Sequence, residues 1–156
     1  MIRIDIPGDA PLELEHLVLD FNGTLALDGQ LLPGVLDRLQ TLAQHLTIHI
    51  VTADTFGNVA RQFAATDLDI IVLDPKNQDN AKKQVIQDLG PTACVAMGNG
   101  RNDVLMLQEA ALGIGLIQQE GACAGIVRTA HVLCTNILDG LDLLTHPLRL
   151  AATLRY

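Results

Sequence analysis

The nine residues Leu17-Val18-Leu19-Asp20-Phe21-Asn22-Gly23-Thr24-Leu25 restrict the fold more than any other stretch of the chain. An apolar run delivers a carboxylate and an amide and then breaks at a glycine. A strand buried on both faces of a parallel sheet reads as such a run. In open α/β sheets, ligands bind beyond the carboxyl ends of the strands. Asp20 is therefore placed to act as a nucleophile or a metal ligand. Gly23 lets the backbone turn away tightly, and the Thr24 hydroxyl can donate to an anion. An Asp-Asn-Gly turn can close a strand for structural reasons alone, so the other strand ends decide.

They recur in alternation with helices. Strands are predicted over 1–6, 16–21, 46–51, 70–73, 93–97, 112–117 and 131–134. Helices are predicted over 34–45, 55–65, 81–89, 103–110, 121–129 and 137–144, with a small hairpin at Asp28-Gly29 between Leu25 and Pro33. Such alternation implies right-handed crossovers and a doubly wound, Rossmann-like parallel sheet flanked by helices, an α/β fold. The composition agrees: 49% of residues are hydrophobic, yet there are only three Phe, one Tyr and no Trp. The core must then be aliphatic, which suits a parallel sheet. The 156 residues, 1–156, fit one domain.

Several classes of function are disfavoured. A net charge of −8, with no basic cluster longer than Lys82-Lys83, argues against nucleic acid as a partner. No apolar run reaches the roughly 18 to 20 residues of a membrane span, and Met1-Ile2-Arg3-Ile4-Asp5 lacks the apolar core of a signal peptide. A cytoplasmic protein without a membrane partner is expected. Cys94, Cys123 and Cys134 lack metal-site spacing and read as buried free thiols. The five histidines show no metal-ligand spacing, so zinc is not expected, and the absence of serine excludes a serine nucleophile.

Three further segments carry groups suited to phosphoryl transfer, which needs several charges converging on one crevice. Thr52-Ala53-Asp54 ends the third strand, where a hydroxyl and following amides could hold phosphate oxygens or simply cap a helix. Lys82 and Lys83 open the helix before the 93–97 strand; a lysine there could neutralise a nucleophile and a phosphoryl group, or be a solvated first turn. Lys76 in the preceding loop is a third candidate. Gly98-Asn99-Gly100-Arg101-Asn102-Asp103 follows an apolar strand and opens a helix. It lacks the third glycine of a dinucleotide fingerprint. The oxygens of Asp20 and Asp103 and the Asn22 carbonyl suit a hard cation.

Together these four segments, in this order and spacing, resemble the motifs of the haloacid dehalogenase-like (HAD) phosphohydrolases, and most closely a small soluble branch resembling P-type ATPases. The resemblance covers most of the chain, including Ala111-Leu112-Gly113-Ile114 and Thr153-Leu154-Arg155. It implies a HAD core, an aspartyl-phosphate on Asp20 and Mg²⁺ as cofactor. Catalysis would then fall to Asp20, Asn22, Thr52 and Lys82. Thr24, Thr52, Ala53 and Lys82 would hold phosphate, and Asp20, Asn22, Asn99 and Asp103 the metal. Asp54, Asn102 and Lys83 stand behind these, with Asn102 bracing its loop. The Lys82-to-Leu89 register matches the P-type pattern.

Two positions depart from the family. Asn22 stands where HAD phosphatases carry the Asp that protonates the leaving oxygen, a role typically worth about 10²–10⁴-fold, so slow turnover is expected. Asn99 replaces the usual first Asp of the fourth motif, which weakens cation binding. Thr24 and Thr52 are separated by only a hairpin and a helix, leaving no room for the nucleotide-binding domain of a pump or for a cap domain. A capless site is open, so a large substrate or a second copy of the chain would close it. The expected substrate is a phosphorylated small molecule or macromolecule, and a homo-oligomer is one option. The apolar Leu143–Leu150 segment could pack on another subunit or on its own domain. The alternative is an attenuated HAD-fold protein that binds or regulates without turnover.

Overall fold

In the computed structural model, which describes residues 1–53, 58–66 and 68–156, six parallel strands form one sheet in the order β10-β9-β8-β3-β6-β7. These are β3 (His16–Asp20), β6 (Thr47–Thr52), β7 (Asp69–Val72), β8 (Cys94–Gly98), β9 (Leu112–Leu116) and β10 (Val132–Cys134). β3 lies between β6 and β8, in register Asp20 with Val51 and Leu19 with Met97. The apolar run thus becomes a central strand, as its lack of polar alternation requires.

Both faces of the sheet are covered. On one side Leu17, Leu19 and Ile50 pack with α1 (Val35–Leu42), α2 (Asn58–Gln62), α6 (Ile137–Thr145) and α7 (Pro147–Leu154). On the other, Val18, Val51 and Ala96 meet Ile86 of α3 (Gln78–Leu89), Met106 and Leu107 of α4 (Val104–Glu109), and Ile126 of α5 (Ile126–Thr129). Burying each large aliphatic side chain contributes about 1.5–3 kcal/mol. The strand ends are therefore held on a stiff platform. The hairpin forms as read, β4 (Ala26–Leu27) with β5 (Gln30–Leu31), turning on Asp28 and Gly29, both at positive φ.

Several elements differ from the sequence reading. The 1–6 strand is shorter, β1 (Ile2–Ile4), and pairs antiparallel with the unforeseen β2 (Leu12–Leu14) in a separate two-stranded sheet. α3 begins at Gln78 rather than 81, because Asn77 adopts a left-handed conformation that starts it within an apparently polar loop. Of the expected 121–129 helix only Ile126–Thr129 is helical; Gly121 sits at positive φ, and the amide of Cys123 bonds the Asn99 carbonyl instead. Pro147 starts the unforeseen α7, the position at which proline is tolerated. Leu144, Leu150 and Ala151 bury in this domain's own core, while Leu148 remains exposed.

Two histidines that look isolated in sequence meet across strands: His16 Nδ1 lies 3.2 Å from His49 Nε2, and His49 Nδ1 lies 2.8 Å from Asp69 Oδ2. Neighbouring-strand contacts of this kind are invisible to spacing along one chain. Burial, and then the neighbouring His49, lower the His16 pKa. Cys94 is buried, which pushes its thiol up to about 11, and Cys123 and Cys134 are half-buried free thiols. No helix among the described residues is long and apolar enough to cross a membrane.

Candidate active site

At the carboxyl edge of the sheet, β3, β6 and β8 deliver their last residues to one crevice of about 430 Å³. Asp20, Asn22, Thr52, Ala53, Lys82 and Asn99 line it, together with Gln78, Gly100, Asn102 and Glu120. The strand order brings the ends of β3, β6 and β8 together, and α3 and the loop after β9 add Gln78, Lys82 and Glu120.

Lys82 is the hub. α3 carries it inward until it is 1% exposed, and its Nζ donates to Asp20 Oδ1 at 2.5 Å and to Asp103 Oδ1 at 2.6 Å. Its neighbour Lys83 points away, pairing with Glu109 at 3.3 Å. The other Asp103 oxygen accepts from the backbone amides of Asn99 at 3.0 Å and Gly100 at 2.8 Å. Asp103 is fully buried, so it fixes the lysine and the glycine-rich loop from behind rather than facing the crevice. Gly98 has to be glycine here, since a Cβ would fall 2.5 Å from the Asp103 carboxyl carbon.

The turn after β3 is equally constrained. Gly23 has φ +77, and a Cβ there would sit 2.3 Å from the Asn99 amide. Asn99 uses that amide to donate to the Gly121 carbonyl at 2.9 Å, and the buried Thr24 hydroxyl lies 3.4 Å from Asn99 Oδ1. Thr24 thus braces Asp20 and Asn99 from below and does not line the crevice. Asn102 donates to Gln78 Oε1 at 2.8 Å, tying the loop to α3. Thr52 is buried at the end of β6, with Ala53 half-buried beside it. Asp54 lies outside the described residues.

Sequence reading missed Gln118 and Glu120. Gln118 Nε2 donates to the carbonyls of Gly23 and Thr24 at 3.0 and 2.9 Å, and its Oε1 accepts from the Ile137 amide at 2.7 Å. Both residues follow β9, so the strand-end rule applied to β3, β6 and β8 would also have flagged this loop.

The electrostatics follow from two carboxylates facing one ammonium. Burial first, and then repulsion from Asp103, raise the Asp20 carboxyl to about 7 against the pull of Lys82 and the Thr24 hydrogen bond. Burial draws the Lys82 ammonium down, but the attraction and hydrogen bonds of Asp20 and Asp103 outweigh it and hold the pKa above its usual value. A folded-state acid with a raised pKa binds a proton that the unfolded chain releases near pH 4. Stability without metal should therefore fall as pH rises from about 4 to 7, then level off. The cost by pH 8 is on the order of 4 kcal/mol. Urea denaturation in chelator at pH 5 and 8 checks this, and Asp20→Asn should flatten the slope.

The donors facing the crevice fit a hard cation. Asp20 supplies a carboxylate, Asn22 and Asn99 line the crevice beside it, and Lys82 leaves the two buried carboxylates one negative charge in excess when both are ionised. No group of three or more His, Cys, Asp or Glu capable of holding a metal occurs among the described residues. Magnesium needs no such cage, since it commonly takes one or two carboxylates with water and substrate phosphate completing its shell.

The fold is that of the HAD-type hydrolases. The 3-deoxy-D-manno-octulosonate 8-phosphate phosphatase of Moraxella catarrhalis, solved with magnesium, phosphate and KDO, superposes with TM-score 0.68 at 19% identity, over 86% of this chain and 87% of that one. The cobalt-bound Haemophilus influenzae phosphatase of the same name gives 0.68 at 10% identity, over 87% and 90%. Phosphoserine phosphatase in its apo form gives 0.68 at 14%, over 85% and 100%. In sequence, the chain belongs to one family with the uncharacterized protein MJ0073 of Methanocaldococcus jannaschii, 37% identical over 84 residues, which is 54% of this chain and 81% of that protein. Uncharacterized protein MJ0072 of the same organism is 46% identical over 39 residues, 25% of this chain and 89% of that protein. No protein-family model matches the chain.

Proposed function

We propose that the protein is a magnesium-dependent phosphohydrolase that works through an aspartyl-phosphate on Asp20. Its substrate would be a phosphate ester or acyl phosphate of a small molecule, with Asn22 itself giving no proton to the leaving oxygen. The observation that carries this is the buried Lys82, bonded at 2.5 Å to an aspartate at the carboxyl end of the central strand. A structural ion pair has no need of a crevice, whereas a nucleophile does.

Asp20 attacks phosphorus in line as the bond to the leaving oxygen breaks, and water then cleaves the aspartyl-phosphate. Lys82 holds Asp20 oriented and offsets the negative charge spread over the transferring group. Thr52 and the backbone of Ala53, across the crevice, hold phosphate oxygens. Magnesium, when bound by Asp20, the Asn22 carbonyl and Asn99, would neutralise phosphate charge. Asp103 acts through Lys82. Phosphate and a sugar acid bound to the Moraxella enzyme support a phosphorylated small molecule as substrate class. The short connections over the crevice support a capless site that a second copy of the chain or a large substrate would close. Asn22 and Asn99 favour a second reading, a phosphate-binding protein without turnover.

Acetyl phosphate and a nitroaryl phosphate separate the two. With Mg²⁺, wild-type protein should release phosphate and, after acid quench, carry the mass of one phosphoryl group on the peptide containing Asp20. Asp20→Asn or chelator should abolish both. Phosphate binding with neither turnover nor label would establish the binder.

A further inference from the structure

If Asp20 is the nucleophile, the site still needs a proton for the leaving oxygen, and Asn22 cannot give one. The structure contains a second cavity, of about 490 Å³, beside the crevice. Leu27 and Leu32 of the hairpin region, Ile117 after β9 and Leu138 of α6 form its apolar wall. It reaches the catalytic turn at Gly23, and among the described residues Glu120 is the one that lines both cavities.

We propose that Glu120 is the general acid of this site, protonating the leaving oxygen of a phosphate ester whose organic group lies in the pocket beneath the hairpin. This rests on the phosphohydrolase reading above. The oxygen that bridges phosphorus to the leaving group must lie where the phosphoryl crevice meets the pocket holding that group. Glu120 is at this seam. Among the described residues lining the two cavities, the carboxylates are Asp20 and Glu120, and there is no His, Cys or Tyr. Asp20 is the nucleophile, and Lys82 is held by two carboxylates at 2.5 and 2.6 Å. Among the described residues, Glu120 is what remains.

Its anchoring suits the task. Glu120 Oε1 accepts from the Asp28 amide at 3.1 Å, fixing one oxygen to the hairpin turn and leaving Oε2 for the proton. Glu120 is exposed in the free protein. Among the described residues neither Lys nor Arg lines the pocket, which suits a neutral organic alcohol rather than a second phosphate. In the first step the Asp20–phosphorus bond forms, the phosphorus–oxygen bond breaks, and the Glu120 proton passes to the departing alkoxide. In the second, the Glu120 carboxylate takes a proton from water as the water oxygen attacks phosphorus and the bond between phosphorus and the Asp20 oxygen breaks. Free phosphate leaves, and both carboxyl groups are restored.

The test compares kcat/KM for an alkyl phosphate, whose leaving oxygen needs a proton, with that for a nitroaryl phosphate, whose leaving oxygen does not. This ratio reads the steps through aspartyl-phosphate formation. Glu120→Gln keeps an oxygen to accept from the Asp28 amide and loses only the proton. It should cost about 10²-fold or more on the alkyl ester and stay within about threefold on the nitroaryl ester. If Gln costs nothing while Glu120→Ala weakens both substrates alike, Glu120 is a hairpin latch, and the acid is overturned. Equal losses on both substrates with Gln overturn it too. In either case Asp20-dependent turnover leaves the phosphohydrolase standing. A wild type that neither releases phosphate nor takes label on Asp20 overturns both.

Discussion

Asn22→Asp is expected to raise kcat/KM toward an alkyl phosphate by about 10²–10⁴-fold when combined with Glu120→Gln, and by far less in otherwise unchanged protein. The substitution replaces an amide with a carboxyl group of nearly equal size at an exposed position on the crevice wall. The backbone there is already fixed. Gly23 donates to the Ala26 carbonyl at 2.9 Å, and the amides of Leu25 and Ala26 both bond the Phe21 carbonyl. The new acid therefore enters a formed turn, two residues from the nucleophile, and the effect should appear in rate rather than in stability. The dependence on background follows from supply: a second acid adds little where Glu120 already provides the proton. Full gain from Asn22→Asp alone would mean that the site had no acid at all. No gain in either background would mean that proton transfer does not limit formation of the aspartyl-phosphate.

Asn22 was legible because a local pattern carried it, and the same holds for much of the site. Asp20, Thr52 and the 98–103 loop each lie at a strand end, so strand assignment alone brought them to one edge. Lys82 was separable from Lys83 only by register against a family pattern. The physical distinction, one ammonium buried between two carboxylates and the other paired with Glu109 at the surface, depends on the rotation of α3 against the sheet. Asp103 reads as a ligand from the 98–103 motif, and in the structure its two oxygens are engaged by Lys82 and by two backbone amides. Hydrogen-bond saturation of that kind is a property of packing. Glu120 lay in a stretch read as leading into a helix. Gly121 and the hydrogen bonds to the 98–103 loop override helix formation there, and a lone carboxylate in the loop after β9 carries no motif spacing from which to infer its role. α7 escaped for a related reason: its apolar face buries partly against β1, a partner distant in sequence.

Lys82→Met should destabilise the metal-free protein by about 3–5 kcal/mol at pH 8 and abolish turnover, because it removes the cation from a buried charge cluster while leaving both carboxylates. Methionine keeps most of the stem's volume, so the loss is electrostatic rather than a cavity. The sign with pH is fixed by Asp20. Burial and Asp103 already raise its carboxyl to about 7, and Lys82 is among the groups that oppose the rise. Without the lysine the carboxyl rises further, protonates on mild acidification and relieves the repulsion. The defect should therefore shrink as pH falls from 8 toward 5, and urea denaturation in chelator at the two pH values measures it. Adding Asp20→Asn should recover much of the loss at pH 8, since one carboxylate is then gone. In a double-mutant cycle the two substitutions should be strongly non-additive, as contacting charged groups are. Equal destabilisation at both pH values, unaffected by Asp20→Asn, would instead assign the role of Lys82 to the packing of its stem. An intermediate test is Lys82→Arg, which keeps the charge in a larger planar group. Stability should largely survive that change while turnover falls, because a planar fork cannot take the place of a compact ammonium between two carboxylate oxygens at 2.5 and 2.6 Å.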